Sequence, residues 1–104
     1  MLTLEAIKDK ITPVCRKYGV KRAYLFGSYA RGEATAQSDV DIRVELDDTS
    51  CSLFRESGLQ LELMDRLQHQ VDLLTCLPEA DTALQQAFRE NVLRDEVLLY
   101  EYAG

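Results

Sequence analysis

LFGSYARGEATAQSDVDIRVEL, residues 25–46, divides into three parts whose order decides the fold. The first two residues end an apolar run, Val20–Phe26 (VKRAYLF), which reads as a short strand cut off by Gly27-Ser28. Tyr29–Gln37 is small and polar, suited to one helical turn and a loop. From Ser38 to Leu46, Val40, Ile42, Val44 and Leu46 alternate with polar residues, the period of a half-buried strand. The link between the two strands is too short for a parallel crossover, which takes about a dozen residues or more. They are therefore predicted to be antiparallel or splayed.

Outward from this stretch, Leu4, Ile7, Ile11, Val14, Cys15 and Tyr18 recur at helical spacing behind Thr3, an N-cap residue type. Pro13 inside that pattern predicts a kink or a restart near Thr12, and Gly19 suits a left-handed helix end. Asp47-Asp48-Thr49-Ser50 reads as a turn. A helix is expected from about Cys51 to Gln68, with Phe54, Leu61, Met64 and Leu67 on one face and Gly58 as a break. Val71–Leu77 reads as a third strand, Pro78 as the start of a helix to about Leu93, and Val97–Tyr102 as a closing strand. The expected fold class is α+β, a small mixed four-stranded β-sheet with helices packed against it, forming one domain over residues 1–104. Most of Ala83, Leu84, Ala87, Phe88, Leu98, Tyr100 and Tyr102 are assigned to the core, with a partner surface as the other use for them.

The chain has 104 residues, 46% apolar, enough for one core and too few for two. Eighteen acids against twelve bases give a net charge of −6, which argues against direct nucleic-acid binding, since phosphate neutralisation needs Lys and Arg. No apolar run approaches the roughly 20 residues of a membrane span, and MLTLEAIKDK lacks the basic start and apolar centre of a signal peptide. Cys15, Cys51 and Cys76 are odd in number and lie far apart, which fits reduced thiols in a cytoplasmic protein better than a disulfide frame or a zinc site.

Three features carry chemistry. Gly27-Ser28 stands between a strand and a helical turn, where backbone amides and the Ser28 hydroxyl can hold phosphate oxygens; an ordinary strand-to-helix turn has the same composition. Asp39 and Asp41 alternate onto one strand face. Two ionised carboxylates about 4 Å apart repel by roughly 4 kcal/mol at an effective dielectric of about 20, which favours a cation between them. Oxygen ligands favour Mg²⁺ or Mn²⁺, although a solvated face continued by Arg43 and Glu45 accounts for the same pattern. Asp72 is the one acid in an apolar strand. It completes a three-carboxylate cluster if that strand neighbours the Asp39–Asp41 strand, and otherwise faces water from an edge.

In combination these features make LFGSYARGEATAQSDVDIRVEL resemble the signature of the DNA-polymerase-beta-like nucleotidyltransferase superfamily. KYGVKRAYLFGS, LQLELMDRLQHQVDLLT and VLLYE extend the resemblance over nearly the whole chain, and narrow it to minimal nucleotidyltransferases, the small antitoxin partners of HEPN-domain toxins. The resemblance implies that Gly27 and Ser28 hold a nucleoside triphosphate and that Asp39 and Asp41 ligate two Mg²⁺ ions, with Mn²⁺ as the alternative. It makes Asp72 the third acid, placed to take the acceptor proton. It further implies AMP transfer from ATP to a tyrosine of a HEPN ribonuclease. Two other readings stay open, an antitoxin that neutralises by binding alone and a small-molecule nucleotidyltransferase, the latter requiring a homo-oligomer to build a pocket. Arg31 fits the family pattern and either contacts phosphates or pairs with Glu33. Arg43 either screens the carboxylates or touches the nucleotide. His69 is read as a surface or capping residue.

Overall fold

The computed structural model describes residues 2–46, 53–75 and 81–102. The elements run α1 (Leu4–Lys17), β1 (Val20–Phe26), α2 (Gly27–Arg31), β2 (Val40–Leu46), α3 (Leu53–Leu67), β3 (Val71–Leu74), α4 (Ala83–Asp95) and β4 (Val97–Glu101). The four strands form one sheet in the order β3-β2-β1-β4. β1 is antiparallel to both β2 and β4, while β3 runs parallel to β2. The mixed four-stranded sheet is therefore as expected, and so is the antiparallel pairing across Gly27-Ser28.

Alternation divides the sheet into two unlike faces. Ala23 and Leu25 of β1 pair with Val44 and Ile42 of β2, and all four are buried. They pack with Ile7, Ile11, Val14 and Cys15 of α1 and Leu59, Leu63 and Leu67 of α3 in one apolar core. The opposite face carries Tyr24 against Arg43, Phe26 against Asp41, and Asp41 against Asp72. That polar face is where the chemistry lies.

Local signals account for the helix ends. The Thr3 hydroxyl accepts from the Ala6 amide, and Gly19 follows the helix at φ +67°. Pro13 lies inside one continuous helix, so no restart occurs at Thr12; the Thr12 hydroxyl instead donates back to the Lys8 carbonyl at 2.7 Å. Cys15 is buried and burial pushes its thiol up to about 12, making it an inert core residue. The turn at 47–50, Cys51, Cys76 and Pro78 lie outside the described residues.

Several expectations need correction. β2 begins at Val40, because Ser38 folds back to accept from the Thr35 amide at 2.8 Å and so holds Ser38 and Asp39 in the loop. On α3 the buried stripe is Leu59, Leu63 and Leu67, leaving Phe54 92% and Leu61 64% exposed. Arg55 sets this phase by donating to the carbonyls of Tyr18 and Gly19, and Gly58 continues the helix where Tyr18 approaches it closely. α4 starts at Ala83 through a capping box, in which the Thr82 hydroxyl accepts from the Gln85 amide and the Gln85 side chain accepts from the Thr82 amide. Of the apolar residues assigned to α4 and β4, Tyr100 is buried, whereas Leu84 is 82% exposed and Phe88, Leu98 and Tyr102 are also exposed. α4 lies over the polar face of the sheet, where few apolar partners exist.

Leu63 is fully buried between α1, α3 and the sheet. Leu63→Ala is expected to cost about 2–5 kcal/mol through lost burial and the cavity left behind. Urea denaturation of the two proteins measures it.

Candidate functional site

β2 and β3 bring the two strand carboxylates together. In the parallel register Val40 pairs with Val71 and Asp41 with Asp72, so one buried valine pair locks the aspartates side by side on the polar face. Asp41 is pushed up to about 6, first by burial, then by hydrogen bonding with Asp72 and by the charges of Asp72 and Asp39, while Arg31 pulls it down. Asp72 thus stands beside Asp41 as expected, but the expected three-carboxylate cluster with Asp39 is not formed among the described residues, because Asp39 lies in the exposed loop before β2.

Gly27 has φ +72°, and a Cβ on it would fall on the Asp41 carboxylate oxygen. Glycine is required there for two separate reasons, backbone conformation and room for the carboxylate. α2 begins at this residue, so the amides of its first turn, which have no partner within the helix, open beside the acids. The left-handed Gly32, at φ +73°, ends this single turn.

A cleft of about 610 Å³ joins these parts. Its lining includes Gly27 and Arg31 of α2, Asp41 and Asp72 of the sheet, Gln60 of α3, and Phe88, Asn91 and Asp95 of α4. Ser28 and Asp39 are not among the lining residues; Ser28 directly follows Gly27, and Asp39, two residues before Asp41, is exposed in the loop before β2. Arg31 carries both contacts that bear on its role. Its Nε donates to Glu33 at 3.1 Å, and Nη1 lies 3.8 Å from Asp95 on the opposite wall. Arg43 neither lines the cleft nor is among the charges that act on Asp41. It is buried and holds Glu96 in a fork of two 2.9 Å hydrogen bonds. His69 has the structural role expected, with Nδ1 2.9 Å from the Leu67 carbonyl oxygen at the end of α3.

The donor set suits a hard divalent cation. Every candidate ligand is a carboxylate oxygen, and the paired Asp41 and Asp72 carry charge that a cation between them would neutralise. Among the described residues no three His, Cys, Asp or Glu side chains are gathered tightly enough to form a metal cluster by themselves. Remaining ligands would therefore come from the bound substrate and water, as is usual for Mg²⁺.

Sequence reading missed Gln60, Asp95 and Glu96. No local pattern announces the first two, which reach the cleft through helix packing. Glu96 had a signal: Arg43, between apolar strand residues, needed an acid to be buried.

The sequence model of the family described as polymerase beta, nucleotidyltransferase matches residues 9–103. A relative in Methanocaldococcus jannaschii, provisionally named a protein adenylyltransferase, is 49% identical over 101 residues, covering 89% of this chain and 98% of its own. The protein adenylyltransferase MntA of Thermococcus cleftensis is 36% identical over 101 residues, covering 93% of this chain and 96% of its own. Among solved structures, a toxin–antitoxin crystallised with AMP-PNP superposes with a TM-score of 0.71 at 27% identity, covering 91% of this chain and 73% of that one. Among the described residues no helix is long and apolar enough to cross a membrane.

Because folding raises the Asp41 pKa, its contribution to stability is full below about 4, the unfolded value, and is lost as pH rises through about 6. Without divalent metal, Asp41→Asn is therefore expected to melt a few degrees above the parent at pH 7.5 and alongside it at pH 3.5. Mg²⁺ should raise the melting temperature of the parent at pH 7.5 and leave the variant nearly unmoved. Thermal denaturation at the two pH values checks both.

Proposed function

The chain belongs to the polymerase-beta family of nucleotidyltransferases, and from that premise we propose that it is an antitoxin-type protein adenylyltransferase. It transfers AMP from ATP to a tyrosine hydroxyl of a cognate HEPN-domain ribonuclease toxin, in the cytoplasm. The observation that carries this reading is the side-by-side Asp41 and Asp72 over Gly27, at the floor of a cleft large enough for a nucleotide.

In this reading Asp39, Asp41 and Asp72 hold two Mg²⁺ ions, which when bound neutralise charge at the attacking and leaving oxygens. Gly27 lets the triphosphate approach the backbone, the first-turn amides of α2 and the Ser28 hydroxyl donate to its oxygens, and Arg31 faces it from the cleft wall. Asp72, the more exposed of the paired acids, receives the proton of the tyrosine hydroxyl. The tyrosine oxygen then bonds to the α-phosphorus, the bond from that phosphorus to the bridging oxygen breaks, and pyrophosphate leaves. Positioning and charge neutralisation supply most of the rate.

α4 gives the acceptor protein a place to dock. Leu84 and Phe88 lie one helical turn apart and both are exposed, and Phe88 also lines the cleft, so an apolar strip leads into the site. That strip also favours a second reading, in which contact alone silences the toxin. The two separate in one experiment, using ATP labelled in the α-phosphate, Mg²⁺, and the cognate HEPN-domain toxin. The parent should label the toxin, whereas Asp39→Asn/Asp41→Asn should remain folded, bind the toxin and leave it unlabelled and active. Silencing by that variant without label would favour contact alone. Leu84→Lys should lower labelling about tenfold or more by losing partner contact, with ATP binding unchanged by titration calorimetry.

A further inference from the structure

A second polar cluster on the same sheet face centres on Arg43, whose side chain is 11% exposed against 14% for Glu96. Arg43 Nε donates to Glu96 Oε2 and Nη2 donates to Oε1, both at 2.9 Å. Its guanidinium lies 4.3 Å over the Tyr24 ring, and Nη1 is 3.5 Å from Glu45. Glu96 is the C-cap of α4, at the point where the chain turns into β4. The residue before it, Asp95, faces Arg31 across the cleft.

Among the described residues, α4 has little else to hold it. Val92 is its one buried residue, and its apolar side chains Leu84, Phe88 and Leu93 are exposed. Packing alone therefore fixes neither its tilt nor its distance from β2. A buried ion pair is not needed for stability, since apolar side chains of similar volume often serve as well. What a forked guanidinium–carboxylate pair adds is direction, because two parallel hydrogen bonds set both distance and angle.

We infer that Arg43 is a positioning residue: its fork on Glu96 fixes the C-terminal end of α4 over β2, so that Asp95 and Asn91 keep their places opposite Arg31 and the cleft keeps its width. The kinetic consequence rests on the proposed nucleotide transfer; the structural one does not. The tether works at both ends of a short path, since Arg43 is two residues beyond Asp41 on β2 and Glu96 adjoins Asp95 on the opposing wall.

The test compares the parent with Arg43→Met/Glu96→Leu, which removes both charges and leaves none unpaired, and with Glu96→Gln, which keeps the shape of the fork. Amide hydrogen exchange is measured over all elements, with steady-state labelling of the toxin as ATP is varied. The double variant should keep slow exchange in α1 and α3 and show faster exchange confined to α4. Its KM for ATP should rise roughly tenfold with kcat within about twofold, the pattern of lost binding shared by ground and transition states. Glu96→Gln should fall between the two. Unchanged exchange in α4, or faster exchange there with KM unaltered, would overturn the positioning role. If α4 loosens in the double variant while the parent transfers no AMP, the tether stands and the proposed function is what fails.

Discussion

The polar half of the molecule depends on a single register. Val40 against Val71 is a buried pair in a parallel ladder, and sliding it by one residue would send Asp41 or Asp72 to the opposite face of the sheet. The core thereby sets the spacing of two carboxylates that repel each other. Partial burial first, and then that repulsion, raises Asp41 toward neutrality, and the missing side chain of Gly27 lets the Asp41 carboxylate rest against bare backbone. The site is thus held at a cost, and it is maintained by the apolar contacts of Ile42, Val44, Leu63 and Val71 on the other side of the same strands. A cation or a proton relieves that cost, and the metal-binding reading follows from it.

β2 was legible by its alternation and the other strands as short apolar runs, and loop length excluded a parallel β1–β2 crossover. Asp41, Asp72 and Gly27 were legible as a site because their residue types are costly unless used together. The α3 stripe was misread because Phe54, Leu61, Met64 and Leu67 are spaced as well for a helix face as Leu59, Leu63 and Leu67 are. The choice between the faces is made by Arg55 and Gly58 meeting Tyr18 and Gly19, contacts far apart in sequence. Asp39 was placed on a strand because it continues the polar positions Asp41, Arg43 and Glu45, yet the Ser38 hydroxyl accepts from the Thr35 amide and keeps both residues in the loop. α4 was assigned to the core on hydrophobicity, without knowing that it faces the sheet side already occupied by charges.

Arg43 illustrates how such a face is satisfied. A guanidinium two residues from a catalytic-type aspartate invites an electrostatic role toward that aspartate. Instead it is consumed by Glu96, Glu45 and the Tyr24 ring, and the charges that bear on Asp41 are Asp72, Asp39 and Arg31. The polar face therefore holds two separate charge systems. One is nearly closed to water and geometrically rigid; the other is open and short of cations.

That shortage shapes how a nucleotide can enter. Among the described residues, the charged ones lining the cleft are Asp41, Asp72, Asp95 and Arg31, and Arg31 is already shared between Asp95 and Glu33. A bare triphosphate would meet net negative potential and would have to draw Arg31 from two carboxylates. A triphosphate carrying its divalent cation reverses this balance, because Asp41 and Asp72 then face positive charge while the phosphates reach the amides at the start of α2. The acidic composition and the nucleotide reading are thus compatible through the cation. The same negative potential disfavours a nucleic-acid acceptor, whose phosphates bring no fixed ion to this cleft, and favours an acceptor whose hydroxyl carries no charge.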